Sequence, residues 1–206
     1  MTVESSERIA EKGIGWVSKE RPTTEGTTVF LPPQTQHFST KAENFEWLKV
    51  ITTHQIGHLE FGSFEFQYDK PSTLLENMRP EMNSKNPSTL LQDGDMPAIT
   101  SMQRFFDLFP ERQLALDIFK TLEDGRVAKQ ISKEYRGIVS AYNKAQQEAL
   151  KDRPNIETLL AKEAIVEFLV RLSLYDKRYI KVPLEYLDTA KLIGGIANLI
   201  FAQFAS

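Results

Sequence analysis

Two histidines stand four residues apart in His54-Gln55-Ile56-Gly57-His58. On a helix that spacing puts both imidazoles on one face, one turn apart, where they can converge on a single metal ion. The alternative is a helix with two histidines packed at its boundary with a sheet. Three histidines in 206 residues produce such a pair in roughly 3% of shuffled chains, so the spacing alone leaves both readings open. The residue after the first histidine decides the chemistry. A zinc protease of the His-Glu-x-x-His type needs that Glu as the general base that activates water. Gln55 stands there instead, and a carboxamide cannot accept a proton at neutral pH.

Two imidazoles need a third protein ligand for a zinc-type site. The chain has no cysteine, which removes thiolate ligands, disulfides, iron–sulfur clusters and a cysteine nucleophile. The best candidate is Glu123, flanked at i−4 and i+4 by Phe119 and Val127, so its carboxylate projects from an apolar stripe. A buried carboxylate needs a cation, and either a metal or an ion pair with Arg126 or Lys120 supplies it. Glu60, Glu65 and Asp124 are weaker candidates. Glu60, Asp124 and Arg126 are expected to hydrogen-bond the ligands and hold them in place, with Gln55 as a further partner. His37, beyond Pro32-Pro33, reads as a surface residue.

These groups must be carried by regular elements. Thr27 to Leu31 reads as a short strand stopped by the two prolines. From Lys41 the apolar positions step by three and four (Phe45, Leu48, Ile51; Trp47, Ile51, His54, His58), which predicts an amphipathic helix ending near Gly62. Phe64, Phe66 and Tyr68 then alternate with polar residues, as in a short strand or extended segment. Residues 69 to 97 are rich in proline and asparagine and hold no aromatic residue. They read as a polar cleft loop or lid, with Leu74-Leu75 and Leu90-Leu91 as anchors. Helices are expected from Ile99 to Phe109, Glu111 to Gln130, Gly137 to Lys151, Asn155 to Tyr175 and Leu184 to Phe204. The first 25 residues read as a loose arm, and residues 26 to 206 as one domain.

Composition narrows the function classes. The chain is 41% hydrophobic and 26% charged with a net charge of −3, values of an ordinary globular protein. Charges of both signs are interleaved, which argues against nucleic acid as the main partner. The start of the chain lacks the apolar run of a signal peptide. The most apolar stretch, Leu192 to Ala202, is shorter than the about 20 residues of a membrane span and is broken by Gly194, Gly195 and Asn198. A soluble, cytoplasmic protein is therefore expected. There is no phosphate-binding glycine loop, no Gly-x-Ser-x-Gly elbow and no calcium-loop spacing.

Four stretches, taken together, carry a resemblance. They are Phe30-Leu31-Pro32-Pro33, His54-Gln55-Ile56-Gly57-His58-Leu59-Glu60-Phe61-Gly62-Ser63-Phe64, Phe119-Lys120-Thr121-Leu122-Glu123-Asp124-Gly125-Arg126-Val127 and Tyr135-Arg136-Gly137-Ile138. In this order and spacing the chain resembles the N-terminal region of NorD and CbbO proteins, activation factors that work with MoxR-type AAA+ ATPases. The resemblance covers about residues 28 to 140 and departs at Arg136, where the pattern has proline.

The resemblance implies an α+β, predominantly helical, zincin-like domain with a small N-terminal sheet and a C-terminal helical subdomain. It implies zinc held by His54, His58 and Glu123, with Gln55 in the lost base position. It further implies a non-catalytic adaptor, assisting a MoxR-type ATPase in remodelling or activating a target metalloenzyme. A zinc-dependent peptidase built on the same helix is the alternative. The von Willebrand factor A domain that usually follows in such proteins has no counterpart here, so the chain is expected to be a fragment or a stand-alone relative.

Overall fold

Backbone groups that cannot pair with neighbours in a helix must pair across strands, and the Val29-Phe30 strand does so on both sides. A computed structural model describes residues 2–5, 23–25, 28–68, 70, 100–174, 180 and 182–202. Strands β1 (Thr2–Ser5), β2 (Thr23–Glu25) and β3 (Thr28–Leu31) form a three-stranded sheet in the order β1-β3-β2. The central β3 is parallel to β1, with Val3 opposite Val29, and antiparallel to β2, with Thr24 opposite Val29. Val29 and Phe30 are fully buried. Parts of the expected loose arm are therefore sheet, because β3 needs partners for its backbone; the stretch 6–22 lies outside the described residues. So do residues 71–99, which hold nearly all of the expected cleft loop and both of its leucine pairs.

Six α-helices follow among the described residues, so the chain is predominantly helical. They are α1 (Lys41–Glu60), α2 (Ser101–Phe106), α3 (Arg112–Glu134), α4 (Val139–Ala149), α5 (Ala161–Ser173) and α6 (Leu187–Ala202). Short 3-10 turns lead into α4 at Arg136–Ile138 and into α6 at Leu184–Tyr186. The segment from Glu65 to Gln67, read as extended or a short strand, joins no sheet. None of the described helices is long and apolar enough to cross a membrane.

The chain divides into two compact units. One comprises Met1–Phe64 with Thr121–Ser206, the other Glu65–Lys120. The second has an apolar centre of its own, which is why it closes separately. Phe105 meets Phe66, Phe106 and Phe109 at 5.1, 5.4 and 5.2 Å between ring centroids, and Phe106 meets Phe119 at 5.5 Å. Arg104 lies over the ring of the buried Tyr68.

In the larger unit, α1 packs on α4 and on strands β2 and β3. Its start is set by Thr40, whose hydroxyl accepts from the Glu43 amide at 3.2 Å. Such a cap satisfies an amide that no helical carbonyl can reach. Asn44 then ties the preceding strap down, donating to the Phe38 carbonyl and accepting from its amide. The core beneath is Val50, Val127, Ala128, Ile131 and Tyr142. Phe45, on the expected apolar stripe, is instead 60% exposed, and the inward face runs through Val50 and Gly57.

Gly57 explains how closely α1 approaches the C-terminal half of α3. A Cβ there would lie 2.8 Å from Val127 Cγ1 and 3.0 Å from Ile131 Cδ1. We predict that Gly57→Ala destabilises the protein by about 1 kcal/mol. Overpacking costs about 1–3 kcal/mol, and the better helix propensity of alanine returns roughly 1 kcal/mol. A urea midpoint equal to or above that of the parent would refute this account of the helix contact.

Candidate metal centre

The expected histidine pair forms on the last turns of α1. Its rings lie 4.9 Å apart between centroids and nearly perpendicular. Both face α3, and the carboxylate they meet is that of Asp124, not of Glu123. Asp124 Oδ1 lies 3.3 Å from His54 Nε2 and 3.1 Å from His58 Nε2. One ligand atom from each of the three residues falls within 4.8 Å of the other two. Ligand atoms around a tetrahedral zinc with bonds of 2.0–2.1 Å are about 3.3 Å apart, so two of the three edges already have the required length. The Asp124 side chain is 53% exposed, whereas those of His54 and His58 are 17% and 12% exposed. The site is thus open on its carboxylate side.

Glu123 is turned the other way, which corrects its expected role as the third ligand. Arg126 donates to it through Nε at 2.8 Å and Nη2 at 2.5 Å. Ser63 donates to it through a short hydroxyl bond. Successive residues of a helix point about 100° apart, so Glu123 and Asp124 cannot both face the histidines. Glu123 takes the side with Arg126, which is buried and also donates to the Phe61 carbonyl at 2.8 Å. The ion pair weighed against metal ligation is therefore the one that forms.

Glu60, expected beside the histidines, accepts from the Tyr135 hydroxyl at 2.6 Å on the exposed surface. The helix turns it away from the pair, because it follows His58 by only two positions and so faces elsewhere. Gln55 is half-buried on α1. His37 is exposed, as expected, and stacks on Trp47 at 5.0 Å between centroids.

Two residues that hold the histidine rings were not singled out from the sequence. Tyr142, on α4 and almost fully buried, places its hydroxyl 2.5 Å from His54 Nδ1. No spacing rule links positions 54 and 142, because only the packing of α1 on α4 joins them. Ser63 lies 2.9 Å from His58 Nδ1 through Oγ. A local signal for Ser63 did exist. Gly62 adopts φ 71°, the left-handed conformation that ends helices, and the Ser63 amide then bonds back to the His58 carbonyl at 2.9 Å. The helix end itself thereby folds Ser63 under His58.

The electrostatics suit a cation. Partial desolvation beside the two half-buried rings pushes the Asp124 carboxyl up, but its contacts with His54 and His58 outweigh this. The carboxyl is held well below the ordinary carboxylate range. For Glu123, burial again acts upward, and hydrogen bonds from Arg126 and Ser63, with the charges of Arg126 and His58, bring the carboxyl below its usual value. Both carboxylates are ionised at neutral pH. Two nitrogen donors and one ionised oxygen converging from two helices form a donor set that fits zinc or a similar transition ion.

Set beside known proteins, the chain matches no family model, no curated protein and no solved structure. What the fold and the site define is a helical domain with a small sheet, carrying a His-His-Asp cluster that could hold a metal ion.

Proposed function

We propose that this chain binds a zinc-type divalent cation through His54, His58 and Asp124, and serves as a non-catalytic adaptor rather than as a hydrolase. The observation that carries the metal reading is the approach of both Nε2 atoms to one Asp124 oxygen, at 3.3 and 3.1 Å. A bound zinc would supply Lewis acidity. Among the described residues, neither Gln55, which holds the position where a zincin has Glu, nor Glu123, engaged by Arg126 and Ser63, is placed to act as a general base beside it. The adaptor reading is supported by the resemblance to the N-terminal region of NorD and CbbO proteins. On that reading the partners are a MoxR-type AAA+ ATPase and a target enzyme, and the fold is zincin-like.

Equilibrium dialysis of the purified chain against zinc tests the first half. One equivalent bound, and none in the variant Asp124→Ala, is the expected result; equal uptake by both would refute it. Co-purification with a MoxR-type ATPase tests the second half, and cleavage of peptides abolished by a chelator would favour the peptidase instead. We further predict that Gln55→Glu leaves the fold intact, since the change is nearly isosteric. Metal-dependent hydrolysis should then appear at a low rate. Absence of activity with zinc bound would mean that the likeness to a peptidase is only architectural.

A further inference from the structure

Resting on the metal reading above, we propose that Ser63 is the positioning residue of this site, and that it keeps the proton of His58 on Nδ1 so that Nε2 presents its lone pair to the cation. The inference follows from counting hydrogens along a chain of four residues. It starts at Arg126, whose guanidinium can only donate. Its Nε and Nη2 engage both oxygens of Glu123, which is therefore held as an acceptor. The hydroxyl hydrogen of Ser63 is directed to Glu123 Oε1. A serine hydroxyl has one hydrogen, so toward His58 Nδ1, 2.9 Å away, Ser63 Oγ can only accept. His58 must then donate through Nδ1.

Two consequences follow. In the neutral ring, Nε2 carries the lone pair and faces an ionised Asp124 oxygen at 3.1 Å. Two acceptors at that distance repel unless a proton or a metal ion lies between them, so the chain Arg126–Glu123–Ser63–His58 leaves this point to one or the other. The other consequence removes a rival reading. Ser63, His58 and Asp124 line up like the nucleophile, base and acid of a serine hydrolase. The hydrogen of Ser63 points to Glu123 rather than to the imidazole, and Ser63 is 7% exposed, so His58 is not its base.

The test uses the full metal-free chain, labelled with ¹⁵N, and reads the His58 ring nitrogens by long-range proton–nitrogen correlation above pH 8. The parent protein should show Nδ1 protonated. In Glu123→Gln the new amide can donate to Ser63, which frees the serine hydrogen for His58. The ring should then switch to the Nε2-protonated form while circular dichroism stays unchanged. Zinc affinity should fall about 10–100-fold in Glu123→Gln and in Ser63→Ala. A parent protein with unprotonated Nδ1, or a Glu123→Gln variant with the parent's tautomer, would overturn the proposal. If the tautomers behave as expected and the parent takes up no zinc, the positioning role stands and the metal reading falls.

Discussion

Replacing His58 by alanine is expected to abolish stoichiometric zinc uptake, a larger effect than the roughly 10–100-fold loss typical when a residue that merely orients a ligand is removed. The reason is the ligand count. Only His54, His58 and Asp124 bring ligand atoms together among the described residues, and two protein ligands rarely hold zinc against solvent. His54→Ala should behave alike, and Glu60→Ala should have little effect, since Glu60 bonds Tyr135 and not the histidines. Acidification provides an independent check. Imidazole must give up its proton to bind a metal, so affinity should weaken as the pH falls, by up to about tenfold per pH unit for each proton displaced. Asp124 adds nothing to this slope near neutrality, because its carboxyl titrates well below the usual range. Isothermal titration of parent and variants between pH 6 and 8 measures both effects. A His58→Ala variant that binds with the parent's affinity would end the metal reading.

The second large effect is expected far along the chain, at Glu167 of α5. This carboxylate is 3% exposed and lies between two arginines. Arg153 reaches both of its oxygens, with Nε at 3.1 and 3.0 Å, and Arg171 donates through Nε at 2.8 Å. Arg171 also donates to the Pro154 carbonyl at 2.8 Å, which clamps the turn before the Ile156–Thr158 segment onto α5. Removing one member of a buried ion pair costs about 3–5 kcal/mol, because the remaining charge stays in a poorly solvated place. The Arg153 side chain is 32% exposed and can recover some hydration, so Glu167→Ala should lie near the lower end, about 3 kcal/mol. For a chain of this size that lowers Tm by roughly 6–12 °C. Glu167→Gln should cost less, since the amide oxygen can still accept from one arginine. Thermal unfolding followed by circular dichroism gives the numbers; a loss under about 1 kcal/mol for the alanine variant would contradict the buried-pair account.

How far each feature could be read in advance depends on how local its cause is. The sequence by itself determined the helical character and the span of α1, since a threonine cap at Thr40 and a glycine stop at Gly62 are signals carried within a few residues. It determined the histidine pair too, because a spacing of four on a helix puts two side chains on one face whatever surrounds them. Proline placed the breaks before Asn155 and Leu184 for the same reason: its ring excludes the preceding conformation locally. The tertiary structure decided the rest. Whether α1 turned inward through Phe45 or through Val50 and Gly57 depended on what packed against it, and the apolar residues around that helix allow either. Which carboxylate met the histidines was a matter of the rotation of α3. Glu123 and Asp124 are adjacent and chemically alike, and the choice fell to Arg126, which captured Glu123 and left Asp124 facing the imidazoles. Tyr142 reached His54 only because α4 folds back across α1. Helix ends, turns and spacings come from short-range sterics and hydrogen bonding; the ligand set comes from the angle and distance at which two helices meet, and no stretch of a few residues encodes that.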